Sequence, residues 1–302
     1  MHRKKVSVIL TTFNGIKYIQ KQLNSILLQT VLPDEIIICD DNSTDGTISF
    51  LRNYLNNGTI KLFVNDTTLG IVNNFKKAAN LAQKGNWLVF ADQDDIWVPQ
   101  KLFELVKEMQ TLDGENTPAL IFSDLSIIDK NDNLVSCSFL DKQKIKIKKI
   151  NLQTLLYGNV VTGCTMIINR PMAEEFFLME DGNYLHDEWL ALIAYTFGKV
   201  KFLSEKLVLY RQHESNVTFS ENYKAMGFLK KIKKDLNYLT KKEFFLEHEF
   251  YLAKAFLLKY RKKLNTVQVT EIEKFIRLED KNYILQRIIR RITFSQYFGK
   301  GK

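Results

Sequence analysis

The sequence predicts an α/β fold, with a mostly parallel central sheet covered by helices on both faces. Three observations predict it. Short apolar, β-rich runs alternate with segments of helical periodicity from Val6 to Met109. Such alternation is the pattern of strands joined by crossover helices, which bury both faces of a sheet. Three of the runs stop abruptly at polar clusters, Thr11 to Asn14, Asp40 to Asn42 and Asp92 to Asp95. Ligands of such sheets bind beyond the carboxyl ends of the strands, where these clusters would converge.

The elements follow in order. Val6-Ser7-Val8-Ile9-Leu10 is the first strand, and Ile19, Leu23, Ile26 and Leu27 recur after it at helical spacing. Pro33 breaks that helix, and Glu35 to Cys39 is the second strand, ending at Asp40-Asp41-Asn42-Ser43. Thr47 to Leu55 is helical, with Ser43 to Asp45 as cap residues. Ile60 to Asn65 is a strand, Asn73 to Gln83 a helix, Trp87 to Ala91 a strand and Pro99 to Met109 a helix. Then come a strand at Ala119 to Phe122 and a hairpin at Ile127 to Leu134. Lys144 to Ile150 alternates Lys and Ile, which reads as an edge strand with one wet face. Val160 to Ile168 is a strand, Pro171 opens a helix, and Tyr184 to Thr196 contains a helix carrying His186-Asp187-Glu188-Trp189. Lys201 to Tyr210 is the last β-rich segment. From Phe228 the chain reads as helical, with Phe and Leu at three-to-four spacing between Lys and Arg. Two domains follow: residues 1–222 hold the sheet, and residues 223–302 form a basic, mainly helical C-terminal region.

Bulk properties exclude several classes. With 302 residues, 45% of them hydrophobic and 12% aromatic, the chain can bury a large core. Cys39, Cys137 and Cys164 include no Cys-x-x-Cys pair, so neither a disulfide framework nor a zinc site is expected, and a reducing compartment fits. The basic start Met1 to Lys5 is followed by an apolar stretch too short for a signal peptide. No run approaches the ~20 apolar residues of a membrane span. A soluble, cytoplasmic protein is expected. The net charge of +9 is uneven: from Tyr223 onward 20 Lys and Arg face 8 Asp and Glu, a local +12, leaving −3 on the rest. Such a tail suits an anionic partner, or else presents solvated helix faces.

The acidic strand end carries the chemistry. Along an extended segment Asp92 and Asp94 point the same way, with Gln93 opposite. Paired carboxylates repel unless a cation sits between them, and a hard ion, Mg²⁺ or Mn²⁺, that also carries a phosphate is the natural one. The alternative is a solvated turn that caps the helix near Pro99. The chain has no Gly-x-Gly-x-x-Gly and no Gly-x-x-x-x-Gly-Lys, hence no dinucleotide fingerprint and no P-loop. A nucleoside diphosphate would then need a metal held by carboxylates. Asp40 and Asp41 either accept hydrogen bonds from a base or ribose, or form an Asx-turn and helix cap.

The blocks from Val6 to Gly15, Asp40 to Thr47 and Asp92 to Trp97 resemble the family 2 glycosyltransferases of the GT-A fold. Thr162-Gly163-Cys164, His186-Asp187-Glu188-Trp189 and Tyr210 to Val217 resemble their rhamnosyltransferase-like branch. The similarity covers roughly residues 5 to 220, with all blocks in order. It implies a donor side made by Thr11, Asn14, Asp40, Asp41, Asp92 and Arg211, with Thr11 and Asp41 holding the base. Asp92 and Asp94 match the family's DxD motif at the metal, and His213 matches a histidine that completes the metal shell in several relatives. Asp187 matches the catalytic base, with Gly163, Trp189 and His186 on the acceptor side. His186 stands where the family more often has an acid, which leaves its role open. The implied reaction is inverting, metal-dependent transfer of a sugar from a UDP- or dTDP-linked donor to a glycan or lipid-linked glycan, in bacterial surface polysaccharide synthesis.

The tail carries Lys230-Lys231-Ile232-Lys233-Lys234, Arg261-Lys262-Lys263, Arg287, Arg290 and Arg291 among Phe228, Leu229, Phe244, Phe245, Leu257, Leu258, Ile288 and Ile289. Basic amphipathic helices lie on anionic membranes, so a peripheral position on the inner face of the membrane is one expectation. A cap on the catalytic domain or a homodimer interface is the other. Two rival functions fit the residues less well. A nucleotidyltransferase would need a basic first loop, and Thr11 to Gly15 has none. A nucleic-acid-binding protein would leave the acidic clusters unexplained, so no nucleic-acid partner is expected.

Overall fold

Apolar strands buried on both faces fix the architecture. The computed structural model describes residues 4–55, 58–114, 116–182, 184–214, 216 and 245–297. The elements run β1 (Val6–Thr12), α1 (Ile19–Leu27), β2 (Glu35–Asp40), α2 (Thr47–Arg52), β3 (Ile60–Val64), α3 (Ile71–Leu81) and β4 (Trp87–Ala91). After them come β5 (Ile96–Trp97), α4 (Lys101–Leu112), β6 (Ala119–Ile128), β7 (Leu134–Ser136), α5 (Phe139–Gln143) and α6 (Leu152–Leu155). Then follow β8 (Met166–Ile168), α7 (Arg170–Phe177), α8 (His186–Phe197) and β9 (Lys199–Arg211). The last helices are α9 (Glu247–Tyr260), α10 (Thr266–Ile276) and α11 (Tyr283–Tyr297).

The described chain divides into two compact units. The first is Met1–Lys142, Val161–Asp181 and Leu185–Arg211; the second is Gln143–Val160, Gly182–Tyr184 and Gln212–Lys302. The expected boundary at 222/223, together with Phe228 to Lys234 and Phe244, lies outside the described residues.

The first unit holds one nine-stranded sheet in the order β3-β2-β1-β4-β8-β6-β9-β5, with β7 paired to β6. β3, β2, β1 and β4 are mutually parallel, as are β6 and β9, whereas β8 runs antiparallel to both β4 and β6. Alternation sorts the strand residues. Val8, Leu10, Ile36, Ile38 and Val89 face one core with Leu23 of α1, Leu51 of α2 and Leu105 of α4. On the other face Phe90 of β4 meets Phe75 of α3 and Phe176 of α7. Helices therefore cover both faces, as the sequence predicts.

Two expectations are corrected. Lys144 to Ile150 is not an edge strand: Lys144 has φ +59° and Ile147–Lys149 is a 3-10 turn. That turn leads into α6, which Asn151 and Thr154 close with a capping box. The segment belongs to the second unit, where Tyr157 packs edge-on against Phe275 with ring centroids 4.8 Å apart. The strand expected from Val160 shrinks to β8, because Gly163–Thr165 forms a 3-10 turn whose Cys164 carbonyl is taken by a lysine side chain.

Candidate active site

Register brings the polar clusters together. Thr12 pairs with Asp40 across β1 and β2, and Leu10 pairs with Ala91 across β1 and β4. The three clusters therefore leave the same edge of the sheet side by side. Half-buried Thr11 sits opposite Cys39 near the end of β1.

The first two loops are laced together. Asp40 accepts from Thr12 Oγ1 at 2.6 Å and from the backbone and hydroxyl of Ser43, both at 2.7 Å. Asn14, with φ +48°, takes Ser43 Oγ on its own N–H and accepts from Thr44 N at 2.9 Å. Asp41 Oδ1 accepts from Asn65 Nδ2 and Leu69 N, both at 2.7 Å, and its Oδ2 accepts from Gly70 N at 2.9 Å. Its charge therefore rests at the amino end of α3, where helix amide groups favour an anion. Asp40 and Asp41 are both buried and serve at least as braces of the loops around the strand ends.

The acidic loop is held between two strands. β5 pairs antiparallel with β9, and α4 begins only at Lys101 with Gln100 as its N-cap. Asp92 to Asp95 is thus no helix cap. Gln93 reaches the other way: its amide accepts from Phe13 N at 2.8 Å and donates to Phe13 O at 3.0 Å. Gly15 makes room for it, since a Cβ there would lie 2.1 Å from Gln93 Oε1.

The carboxylates that converge most closely are Asp92 and Asp95, which with Cys164 place ligand atoms within 4.8 Å of one another. Asp94, expected to pair with Asp92, is not in that group, and Asp95 Oδ1 accepts from Arg211 N at 3.1 Å. Burial, and then the neighbouring Asp94 charge, push Asp92 up to about 7, against the nearby Lys101. The same two causes, with Asp92 added, raise Asp95 well above the carboxylate range. Crowded negative charge of this kind suits a hard divalent cation. Cys164 suits it poorly: burial pushes its thiol up, and Mg²⁺ and Mn²⁺ prefer oxygen.

Arg211 is 1% exposed. Its Nε donates to Asp94 O at 2.8 Å, its Nη1 donates to Asp129 O at 3.2 Å and pairs with Asp132, and the guanidinium lies over Tyr18. It ties β9 to the acidic loop and the β6–β7 turn. His213 belongs to the second unit, where its N–H donates to Asn216 Oδ1 at 2.5 Å. Its assignment to the metal rests on the sequence resemblance.

Asp187 sits in the first turn of α8. Its Oδ2 accepts from Gly163 N at 3.1 Å and its Oδ1 from Glu188 N at 2.8 Å. Burial first, then Glu188 and more weakly Asp92, push it up to about 7 against those two bonds. A carboxylate titrating there suits general-base work at neutral pH.

Two of the residues expected on the acceptor side are buried. His186 stacks on Phe75 at 4.5 Å and Phe90 at 5.2 Å, and burial pushes it down to about 3, so it is neutral. Trp189 is 1% exposed. Both lie in α8 with Asp187. Gly163 packs against His186 and Asp187: a Cβ there would stand 3.0 Å from His186 Nε2. Sequence reasoning missed Lys101, a fully buried lysine that burial pushes down to about 7. Its only signal was a lysine directly after Pro99-Gln100 in a block already singled out.

The profile described as Glycosyl transferase family 2 matches residues 7–177. The chain belongs to this family. Among relatives of this glycosyltransferase, WfgD of Escherichia coli, a UDP-Glc:alpha-D-GlcNAc-diphosphoundecaprenol beta-1,3-glucosyltransferase, is 30% identical over 193 residues, or 62% of this chain and 69% of that protein. The dTDP-rhamnosyl transferase RfbG of Shigella flexneri is 28% identical over 243 residues, 73% and 79% of the two chains. A Nostoc glycosyltransferase, 29% identical over 219 residues, matches over 70% of this chain and 66% of its own length, just short of two thirds. The TarS 1-349 structure from S. aureus in complex with UDP-GlcNAc aligns with a TM-score of 0.58 at 16% identity, covering 97% of this chain and 92% of that one. That likeness establishes the GT-A fold.

Proposed function

We propose that this glycosyltransferase moves a sugar from a UDP- or dTDP-linked donor to a hydroxyl group of a glycan or lipid-linked glycan, inverting the anomeric carbon. The observation that carries the reading is the seat of Asp187: a carboxylate raised to about 7, fixed by Gly163 N–H, within electrostatic reach of Asp92 at the sheet edge. Asp187 takes the proton from the acceptor hydroxyl as its oxygen bonds to the anomeric carbon and the bond to the diphosphate oxygen breaks. One base and one displacement give inversion, without the carboxylate nucleophile of a retaining enzyme.

Asp92 and Asp94 would hold Mn²⁺ or Mg²⁺, which supplies Lewis-acid stabilisation of the leaving diphosphate. The laced loops from Thr11 to Asn14 and Asp40 to Ser43 shape the nucleoside side. The donor classes follow the names of RfbG and WfgD, and the lipid-linked acceptor follows that of WfgD. Both suit the assembly of a bacterial surface polysaccharide. The test is Asp94→Asn, assayed for nucleoside diphosphate release with Mn²⁺ against a panel of UDP- and dTDP-sugars. Loss of a charged group at the leaving diphosphate lowers kcat by about a hundredfold or more. Wild-type, metal-dependent turnover in Asp94→Asn removes the assignment.

The second unit supports a position at the inner face of the membrane. α11 exposes Ile284, Leu285, Ile288 and Ile292 along one side, interspersed with Arg287 and Arg291. No helix among the described residues is long and apolar enough to cross a membrane. Binding to anionic vesicles that survives Ile288→Glu with Ile292→Glu would remove this placement, and self-association through the face would replace it.

A further inference from the structure

Asp129, Asn131, Asp132 and Asn133, between β6 and β7, are short polar side chains of the kind that bond their own backbone in turns. Asp129 does so: its Oδ1 accepts from Asn131 N at 2.8 Å and Asn133 N at 2.9 Å, and its Oδ2 from Asn133 Nδ2 at 3.0 Å. Asp132 N donates to Asp129 O at 3.1 Å, with Asp132 at φ +71°. That left-handed backbone is open to Asp and closed to most side chains. The carboxylate of Asp132 is used outside the turn. Its Oδ1 pairs with Arg211 Nη1 of β9, and its Oδ2 pairs with Lys21 Nζ of α1. Arg211 is the buried partner, and a guanidinium taken out of water needs its charge and its several donors met. Nη1 also donates to Asp129 O at 3.2 Å, and the group lies 4.7 Å from the centroid of the Tyr18 ring. Nε donates to Asp94 O at 2.8 Å. The guanidinium is planar, so the direction of Nη1 sets that of Nε. A continuous chain of bonds therefore runs from the β6–β7 turn to the main chain of the acidic loop.

We propose that Asp132 is a positioning residue: as the counter-ion of Arg211 it orients the guanidinium, and through it the Asp94 carbonyl and the acidic loop. Its effect on turnover rests on the function proposed above; its pairing with Arg211 and its hold on the loop do not. In this arrangement the β6–β7 turn is a fixed post for the loop assigned to the donor, and Lys21 ties that post to α1.

The test uses Asp132→Asn, Arg211→Lys and the double variant in the full chain. Asn keeps the size of the side chain and tolerates the left-handed backbone, so the change is confined to the charge and one acceptor oxygen. In Asp132→Asn, amide exchange at residues 94–96 should quicken about tenfold more than exchange in β1 and β2, as expected for local release of the loop. Equal quickening in all three places marks a purely structural role and overturns the proposal, as does unchanged exchange at residues 94–96. A lysine at 211 has no fork to hold Asp132 and the Asp94 carbonyl together. In the Arg211→Lys background, Asp132→Asn should therefore add no more than about twofold to that exchange. A second tenfold there overturns the proposal. If Arg211→Lys does not fold, the exchange pattern of Asp132→Asn decides alone. With a panel of UDP- and dTDP-sugars and Mn²⁺, Asp132→Asn should raise donor KM about tenfold and leave kcat within about threefold, because the donor loop is loosened and the seat of Asp187 is not. A lower kcat at unchanged KM overturns the link to the donor. If the wild type turns over no sugar nucleotide, the proposed function fails, while the exchange results still decide the role of Asp132.

Discussion

Gly163 N–H donates to Asp187 Oδ2 at 3.1 Å, so the carboxylate assigned as base is oriented by a backbone group on a tight turn. That turn has no slack. Its residue 163 abuts His186, which is packed among Phe75, Phe90 and Phe176.

Gly163→Ala follows directly. The added Cβ would sit 3.0 Å from His186 Nε2, closer than ordinary van der Waals contact. Overpacking of this kind costs about 1–3 kcal/mol, read as a lower midpoint in urea unfolding. Turnover should fall as well, because relief of the clash displaces the N–H that holds Asp187. An unchanged midpoint would show that the turn yields freely.

Gly15→Ala should behave differently. Its Cβ would meet the far end of Gln93, a flexible side chain that can swing away at the loss of two hydrogen bonds to Phe13. The cost in stability is about 1–2 kcal/mol, and the loosened acidic loop should raise donor KM more than it lowers kcat. Adding Gln93→Ala should then change little further, since both substitutions remove the same tie. Full additivity in steady-state kinetics would show that the tie is unimportant.

The pH dependence has a defined sign. Asp187 must be deprotonated to act as base, so kcat/KM should drop on the acid side of about 7 and level off above it. Glu188 is the second cause of the raised value, after burial. Glu188→Gln should therefore move the limb to lower pH, while its amide oxygen still caps Leu185 N. For stability the linkage runs the other way. The folded chain holds the Asp187 proton between 3.8 and about 7, so this group's contribution is present below 3.8 and declines as pH rises through that window. A limb unmoved by Glu188→Gln would assign it to another group, Asp92 being the nearest in value.

Much of the sheet was legible because β1, β2 and β4 are continuous apolar runs that admit one placement, buried on both faces. β5 was not, since two residues carry no period, yet its pairing with β9 turns Asp92 to Asp95 into an inter-strand loop. The Lys and Ile alternation at Lys144 to Ile150 fitted a strand equally well and lost to the positive φ of Lys144 and the cap at Asn151. At the site, carboxylates at strand ends could be found by their spacing. Trp189, His186 and Arg211 could be found only as motif members, and their burial is a property of helix packing and of β9. Lys101 was hidden for a simpler reason: a lysine in the first turn of a helix ordinarily points to water.

On the proposed function, donor binding and base catalysis reside in different carboxylates, and Asp187→Asn separates the two. Asn keeps the size of the side chain and an acceptor for Gly163 N–H, and removes only the basicity. Calorimetric titration of this variant with a nucleotide sugar and Mn²⁺ should give the wild-type affinity, while transfer falls by about a hundredfold to ten-thousandfold, the usual worth of a positioned base. Wild-type transfer by Asp187→Asn would remove Asp187 as the base.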